Sequence, residues 1–182
     1  KNMKLLNNKL KNELKIRTQK DYPIKGVEFI DITPLTMQKE VMEEIIQKFL
    51  EETKNKKIDY IVSPEARGFL FGTAVANRLE VGFIPVRKKG KLPPTTVETE
   101  IDYQKEYGKD ILELPKLVEE SYQNKNFYII DDIYATGNTV KAIRKGIEDL
   151  GGNIVGTGVI INIVDLNQEK NIFSLLEVQE DT

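Results

Sequence analysis

The 182-residue chain contains no cysteine and no histidine. Without cysteine there are no disulfides, no thiolate nucleophile and no cysteine-held zinc. Without histidine there is no Ser-His-Asp chemistry and no imidazole metal ligand, so proton transfer falls to carboxylates, lysines and tyrosines. Tryptophan is absent as well. Neither sign of charge dominates: 27 Lys and Arg stand against 29 Asp and Glu, a net charge of -2, which gives bulk charge no reason to draw the chain to nucleic acid. No apolar run approaches the ~18 residues a membrane span requires, and the charged stretch 1–16 does not read as a signal peptide. The expectation is a cytoplasmic chain with no nucleic-acid and no membrane partner.

What is present is an ordinary globular balance, 40% hydrophobic and 31% charged, at a length that suits one domain, 1–182. Leu5, Leu6, Leu10 and Leu14 are spaced for an amphipathic helix over 4–16. Thr33-Pro34 opens a second helix whose buried face is Met37, Val41, Ile45, Ile46, Phe49 and Leu50. Strands are expected at 59–63, 81–87, 111–114, 127–130, 154–164 and 172–178, and helices at 68–79 and 140–150, the last ended by Gly151-Gly152. Residues 88–107, with Gly90, Pro93 and Pro94, read as a long irregular lid or binding loop. Strand-helix-strand alternation implies an α/β fold with a mainly parallel central sheet flanked by helices, and ligands outside the carboxyl ends of its strands.

Three polar motifs fall at such ends. In FYIIDDIYATGNTV, residues 127–140, an apolar strand delivers Asp131 and Asp132 into a turn of small residues that opens a helix. Backbone N–H groups at that helix start favour an anion, Thr136 and Thr139 add hydroxyls, and Gly137 permits close approach. No lysine follows the glycines, so this is not a nucleotide-triphosphate P-loop. An N-capped helix would account for the turn alone, but two adjacent carboxylates at a buried strand end need partners. Neighbouring strand residues face opposite ways, so either acid could be the closer to a ligand. In SPEARGFLFG, residues 63–72, Arg67 follows a strand end at once. In PVRKKGKLP, residues 85–93, four cations in five positions suit a polyanion, although a solvated charge run would look the same.

The first motif resembles the phosphoribosyl pyrophosphate (PRPP) signature of the type I phosphoribosyltransferases, and the others resemble the adenine branch of that family. The resemblance runs in order from about residue 10 to about 178. It implies the type I phosphoribosyltransferase fold, with an N-terminal hood (about 1–35) over the base and a flexible catalytic loop (about 95–107). By similarity, Asp131 and Asp132 take the ribose hydroxyls, while Ala135, Thr136, Gly137, Asn138 and Thr139 take the 5′-phosphate. Glu65, Ala66, Arg67 and Gly68, from Glu-Ala-Arg-Gly-Phe, take pyrophosphate with Arg87, Lys88 and Lys91. Glu106, in KEYGKDILEL at 105–114, is the implied proton carrier at adenine N7, and Arg67 shares the catalytic role. DYPIKGVEFIDITPL, residues 21–35, resembles the hood, with the Glu28 carbonyl and Ile30 N–H reading the base edge between Phe29 and Ile163. Family members commonly carry Arg where Ile30 stands, which leaves that position a backbone role.

The implied reaction makes AMP and pyrophosphate from adenine and PRPP, with Mg²⁺ carried on PRPP and not held by a protein cage, in a homodimer. A phosphoribosyltransferase for hypoxanthine, guanine or xanthine, a PRPP-sensing regulator and a degenerate structural relative are the alternatives. Intact Arg67 and Glu106 argue against the last.

Overall fold

The computed structural model describes residues 3–105 and 108–180. Ten strands and four α-helices follow in chain order: β1 Met3–Asn8, β2 Arg17–Lys20, β3 Glu28–Asp31, α1 Thr33–Thr36, α2 Lys39–Thr53, β4 Tyr60–Pro64, α3 Arg67–Leu79, β5 Gly82–Lys88, β6 Val97–Lys105, β7 Gly108–Pro115, β8 Asn126–Tyr134, α4 Asn138–Asp149, β9 Asn153–Ile163 and β10 Phe173–Glu180. Eight strands form one sheet in the order β1-β10-β9-β8-β4-β5-β7-β6, and β2 pairs with β3 in a separate ribbon. The five central strands, β10-β9-β8-β4-β5, run parallel; β1 at one edge and β7-β6 at the other are antiparallel. This is the expected α/β sheet with antiparallel borders added.

The sequence of β8 explains its central place. Phe127, Tyr128, Ile129 and Ile130 are all fully buried, as a strand covered on both faces requires. Tyr128 and Ile130 join the core beneath α2 and α3, with Phe49, Phe71 and Val75. Phe127 and Ile129 join the opposite core, with Ile143 and Ile147 of α4 and Leu112 and Leu114 of β7. Burial on that scale contributes roughly 1.5–3 kcal/mol for each large apolar side chain, so the strand that carries the two aspartates is firmly anchored.

Three expectations need correction. The helix over 4–16 is instead edge strand β1 followed by irregular chain; Leu5 and Leu6 stay 53% and 46% exposed while Leu10 is buried. Antiparallel pairing with β10, Leu5 opposite Val178, outweighs a weak helical pattern. The single helix from residue 33 is broken: Gln38 is extended between α1 and α2, and Met37 is 71% exposed. The stretch expected to be irregular is instead a turn after β5 and then, up to Lys105, strand β6, antiparallel to β7 with Glu100 opposite Glu113 and Tyr103 opposite Asp110. Alternating half-buried and exposed positions along β6 carry a period-2 pattern that the nearby glycine and prolines obscure.

Candidate active site

The site grows from the carboxyl end of β8. Asp131 and Asp132 are 8% and 5% exposed. Burial, reinforced by the Asp132 charge, pushes the Asp131 carboxyl well above its usual range. The Asp131 Oδ1 accepts the Asp132 N–H at 2.8 Å. Asp132 Oδ2 lies 2.9 Å from Arg67 Nε, but off the hydrogen-bond direction, so this buried oxygen keeps an unfilled acceptor site. Gly68 is what lets α3 approach: a Cβ there would stand 3.0 Å from Asp131 Oδ1.

Beyond the acids the chain turns on Gly137, at φ +82°, where a Cβ would fall 2.1 Å from the Tyr134 hydroxyl. The 12-residue helix α4 then begins at Asn138 with no side chain capping it. Its first N–H groups are therefore open to an external acceptor, and the helix dipole favours an anion there. A hollow of about 100 Å³, lined by Asp131 and residues 133–140, sits over this helix start.

The second wall comes from the ends of β4 and β5. The Glu65–Ala66 peptide is cis. Glu65 Oε1 accepts Arg87 Nε at 3.0 Å and the Lys88 N–H at 2.6 Å. Burial raises the Glu65 carboxyl, but these donors and the neighbouring cations outweigh it and hold the group below its usual range. The Arg67 guanidinium lies 5.1 Å from the Phe29 ring centroid, within cation–π range, and Phe29 meets Tyr22 edge-on at 5.2 Å. Arg67 thus joins the β2–β3 ribbon to the acids.

These walls enclose a cavity of about 300 Å³ bordered by Glu65, Ala66, Arg67, Gly68, Lys88, Asp131, Asp132, Ala135 and Thr139. Buried anionic groups, a free helix start and cationic side chains face one space, an arrangement suited to a sugar phosphate bearing a further anionic group.

A phosphoribosyl transferase domain model matches residues 32–176. Adenine phosphoribosyltransferase of Clostridium acetobutylicum is 45% identical over 152 residues, covering 84% of this chain and 86% of that one. The chain belongs to the adenine phosphoribosyltransferase family. Another family member, from Methanococcus maripaludis, is 42% identical over 84% of this chain and 86% of its own. The crystal structure of adenine phosphoribosyltransferase from Thermoanaerobacter pseudethanolicus superposes with a TM-score of 0.81 at 38% identity, covering 89% and 95% of the two chains. The Saccharomyces cerevisiae enzyme, complexed with an imino-altritol bisphosphate and adenine, does so at 0.76 and 33%, covering 88% and 93%.

Within the family's expected residue set, the structure gathers some and separates others. Asp131, Asp132, Ala135, Thr139, Glu65, Ala66, Arg67, Gly68 and Lys88 border the main cavity, and Thr136, Gly137 and Asn138 border the adjoining hollow. Arg87 is turned into its pair with Glu65, and Lys91 is exposed in the turn after β5, its N–H bonded to the Lys88 carbonyl at 3.1 Å. Glu28, Phe29 and Ile30, expected in the hood, lie in β3 of the β2–β3 ribbon. Glu28 and Ile30 alternate, so their backbone groups share one edge of the strand. Ile30 and Ile163 are 5% and 6% exposed, in the core with Ile32 and Ile161. An arginine at position 30 would enter that core. Glu106 lies outside the described residues. Tyr103 and Leu112, which also border the cavity, were not expected there. The expectation of irregular chain over 88–107 hides Tyr103, whereas the alternation Ile101, Tyr103, Lys105 puts it on one face of a strand; Leu112 falls in the strand expected at 111–114, with no signal for which face meets the cavity.

Proposed function

We propose that the chain transfers the 5-phosphoribosyl group of PRPP to N9 of adenine, giving AMP and pyrophosphate. The observation that carries this reading is the convergence, in one cavity, of the buried Asp131–Asp132 pair, the open start of α4 and the Arg67 loop. The 5′-phosphate sits on the turn from Ala135 to Thr139, where backbone N–H groups meet it without side-chain competition. The ribose hydroxyls fall to the two acids, and negative charge on Asp131 or Asp132 also favours the cationic sugar that develops as pyrophosphate leaves. Pyrophosphate faces the 65–68 loop, Arg87, Lys88 and Lys91. Adenine enters under the hood, with Phe29 and Ile163 on its faces and the Glu28 carbonyl and Ile30 N–H on its edge. Glu106, as a carboxylate, takes the proton from N7 of adenine as N9 bonds to C1, and returns it to N7 in the reverse reaction; the segment 95–107 closes over the site to keep water from hydrolysing PRPP.

A magnesium ion fits this chemistry as part of the substrate. Asp132 Oδ2 is a buried acceptor without a hydrogen bond, suited to an ion or its water, and among the described residues no three acidic side chains gather into a cage. Mg²⁺ held by PRPP oxygens would offset the pyrophosphate charge. We assign the working enzyme to the cytoplasm as a homodimer, as the family resemblance implies; equilibrium sedimentation tests the dimer.

Spectrophotometric turnover with PRPP and adenine, hypoxanthine, guanine, xanthine or uracil tests the reaction. The hood's fixed backbone donor and acceptor oppose hypoxanthine's reversed edge. Adenine is therefore expected to win by ~10⁴-fold in kcat/KM. Use of hypoxanthine or guanine within tenfold of adenine overturns the reading, and PRPP binding without turnover would make the chain a sensor.

A further inference from the structure

A second and larger concavity, of about 580 Å³, lies toward the amino end of β9. Its floor is a place where the sheet stops short. Pairing between β10 and β9 begins at Gly158, whereas β8 follows β9 from Asn153 onward. The edge of residues 154–157 that faces away from β8 therefore has no strand beside it. Backbone polar groups on such an edge need partners from elsewhere.

Four cations surround that edge, each from a different part of the chain. Lys9 follows β1, its backbone N–H fixed to the Leu175 carbonyl at 2.9 Å and its ammonium 4.6 Å from the Phe173 ring centroid. Lys56 follows α2 and Lys170 precedes β10. Arg144 comes from α4 and donates to Oγ1 of the buried Thr157 at 3.2 Å. Lys56 has a long contact with Glu52, at 3.9 Å. Lys9, Arg144 and Lys170 have no carboxylate within 4.0 Å among the described residues. Glu52 and Glu148 are the acids of this lining, so the concavity gathers four positive groups against two negative ones in a chain of net charge -2. A cleft whose walls share one sign of charge concentrates counter-ions.

We propose that this concavity is a second anion site, separate from the catalytic cavity, that takes a phosphate ester or a diphosphate. The cations and the open edge of β9 supply donors, and Ile172 and Phe173 give an apolar face to whatever organic group the phosphate carries. Short charge-assisted hydrogen bonds from several cations are the usual means of holding such a group.

The test is an amide titration of ¹⁵N-labelled protein, first with inorganic phosphate and separately with ADP. Resonances of Gly156, Thr157 and Asn171 report this site, and those of Gly137 and Thr139 report the catalytic turn. Movement of the first set with a midpoint below about 10 mM is expected, independent of the second set. The double substitution Lys9→Gln/Lys170→Gln, at two exposed positions, should weaken the first set about tenfold and leave the catalytic set and turnover unchanged. A tighter midpoint for ADP means that the organic group rests on Phe173, and equal midpoints mean that phosphate alone is recognised; both support the site. No movement at Gly156 and Thr157, or movement that the double substitution does not weaken, overturns it.

Discussion

The two walls of the catalytic cavity are made in different ways. One is local: residues 127–139 run from the core of the sheet through the acids and the glycine turn into α4, and their side chains are buried or half-buried. The other is assembled from distant pieces, Phe29 of the hood, Arg67 at the start of α3, Lys88 at the end of β5 and Tyr103 of the hairpin. Its long side chains are partly in solvent, Arg67 at 43% exposure. The local wall can hold the unreactive parts of a substrate in one fixed place. In the proposed reaction the assembled wall carries the groups that meet a leaving group and a base, and it can adjust without disturbing the core.

Breaking the local wall should therefore do the greatest damage. Gly137→Val adds a branched side chain at positive φ, and already its Cβ would overlap the Tyr134 hydroxyl at 2.1 Å. We expect kcat/KM for PRPP to fall by about 10³-fold or more. Thr136→Ala and Thr139→Ala remove one hydroxyl each and should raise the PRPP KM by roughly one to two kcal/mol of lost hydrogen bonding. An unchanged KM for PRPP in Gly137→Val would refute the phosphate assignment.

Changes in the assembled wall, and at Glu106, should act on the chemical step and spare ground-state binding. Glu106→Gln keeps shape and removes a proton carrier, so kcat should fall ~10²-fold with a nearly unchanged KM for adenine. Single-turnover kinetics checks this apart from product release; an unchanged chemical rate would leave the segment only a shielding role. Arg67→Lys keeps the charge but loses the planar group that lies over Phe29 and beside Asp132. A loss of about tenfold in kcat/KM is expected, and an equal loss in the Phe29→Leu background would show that stacking on Phe29 contributes nothing.

The same contrast decides what could be read in advance. The acid pair and its turn are contiguous and follow an unmistakable apolar run, so strand, turn and helix were legible from 127 to 150. The central strands and α3 were legible for the same reason. The edges were not. β1 owes its form to β10, far away in the chain, and β6 to its partner β7, while the local signals there, four spaced leucines and a Gly-Pro-rich stretch, favour something else. The pairing of Arg87 with Glu65 and the burial of Ile30 and Ile163 are likewise long-range outcomes. Ile30→Arg leaves the backbone N–H in place but puts a charged side chain into the core, so its effect on folding has to be measured apart from base preference.

The finest test of the contrast is stability against pH, where the two walls have opposite signs. The Asp131 carboxyl is raised, first by burial and then by the Asp132 charge. In the unfolded chain it ionises near its ordinary value of 3.8. Between that pH and its higher folded value the native state must either keep a proton the unfolded state has released or bury a charge, so this group's contribution to stability is full below 3.8 and is lost as pH rises through the folded value. Asp131→Asn keeps an oxygen for the Asp132 N–H and removes the charge. It should abolish most turnover and yet raise Tm at pH 7, by about 2–4 °C for each kcal/mol gained, with the gain fading as the pH is lowered toward 4. Glu65 runs the other way: its donors hold it below its ordinary value of 4.5, so its contribution is present above 4.5 and is lost as pH falls through the folded value. Glu65→Gln should lower Tm at pH 7 and matter little in acid. Scanning calorimetry of both variants from pH 4 to 8 checks the pair. If Asp131→Asn lowers Tm at neutral pH, the acid pair is held by partners strong enough to offset its burial, and the local wall is a source of stability as well as of binding.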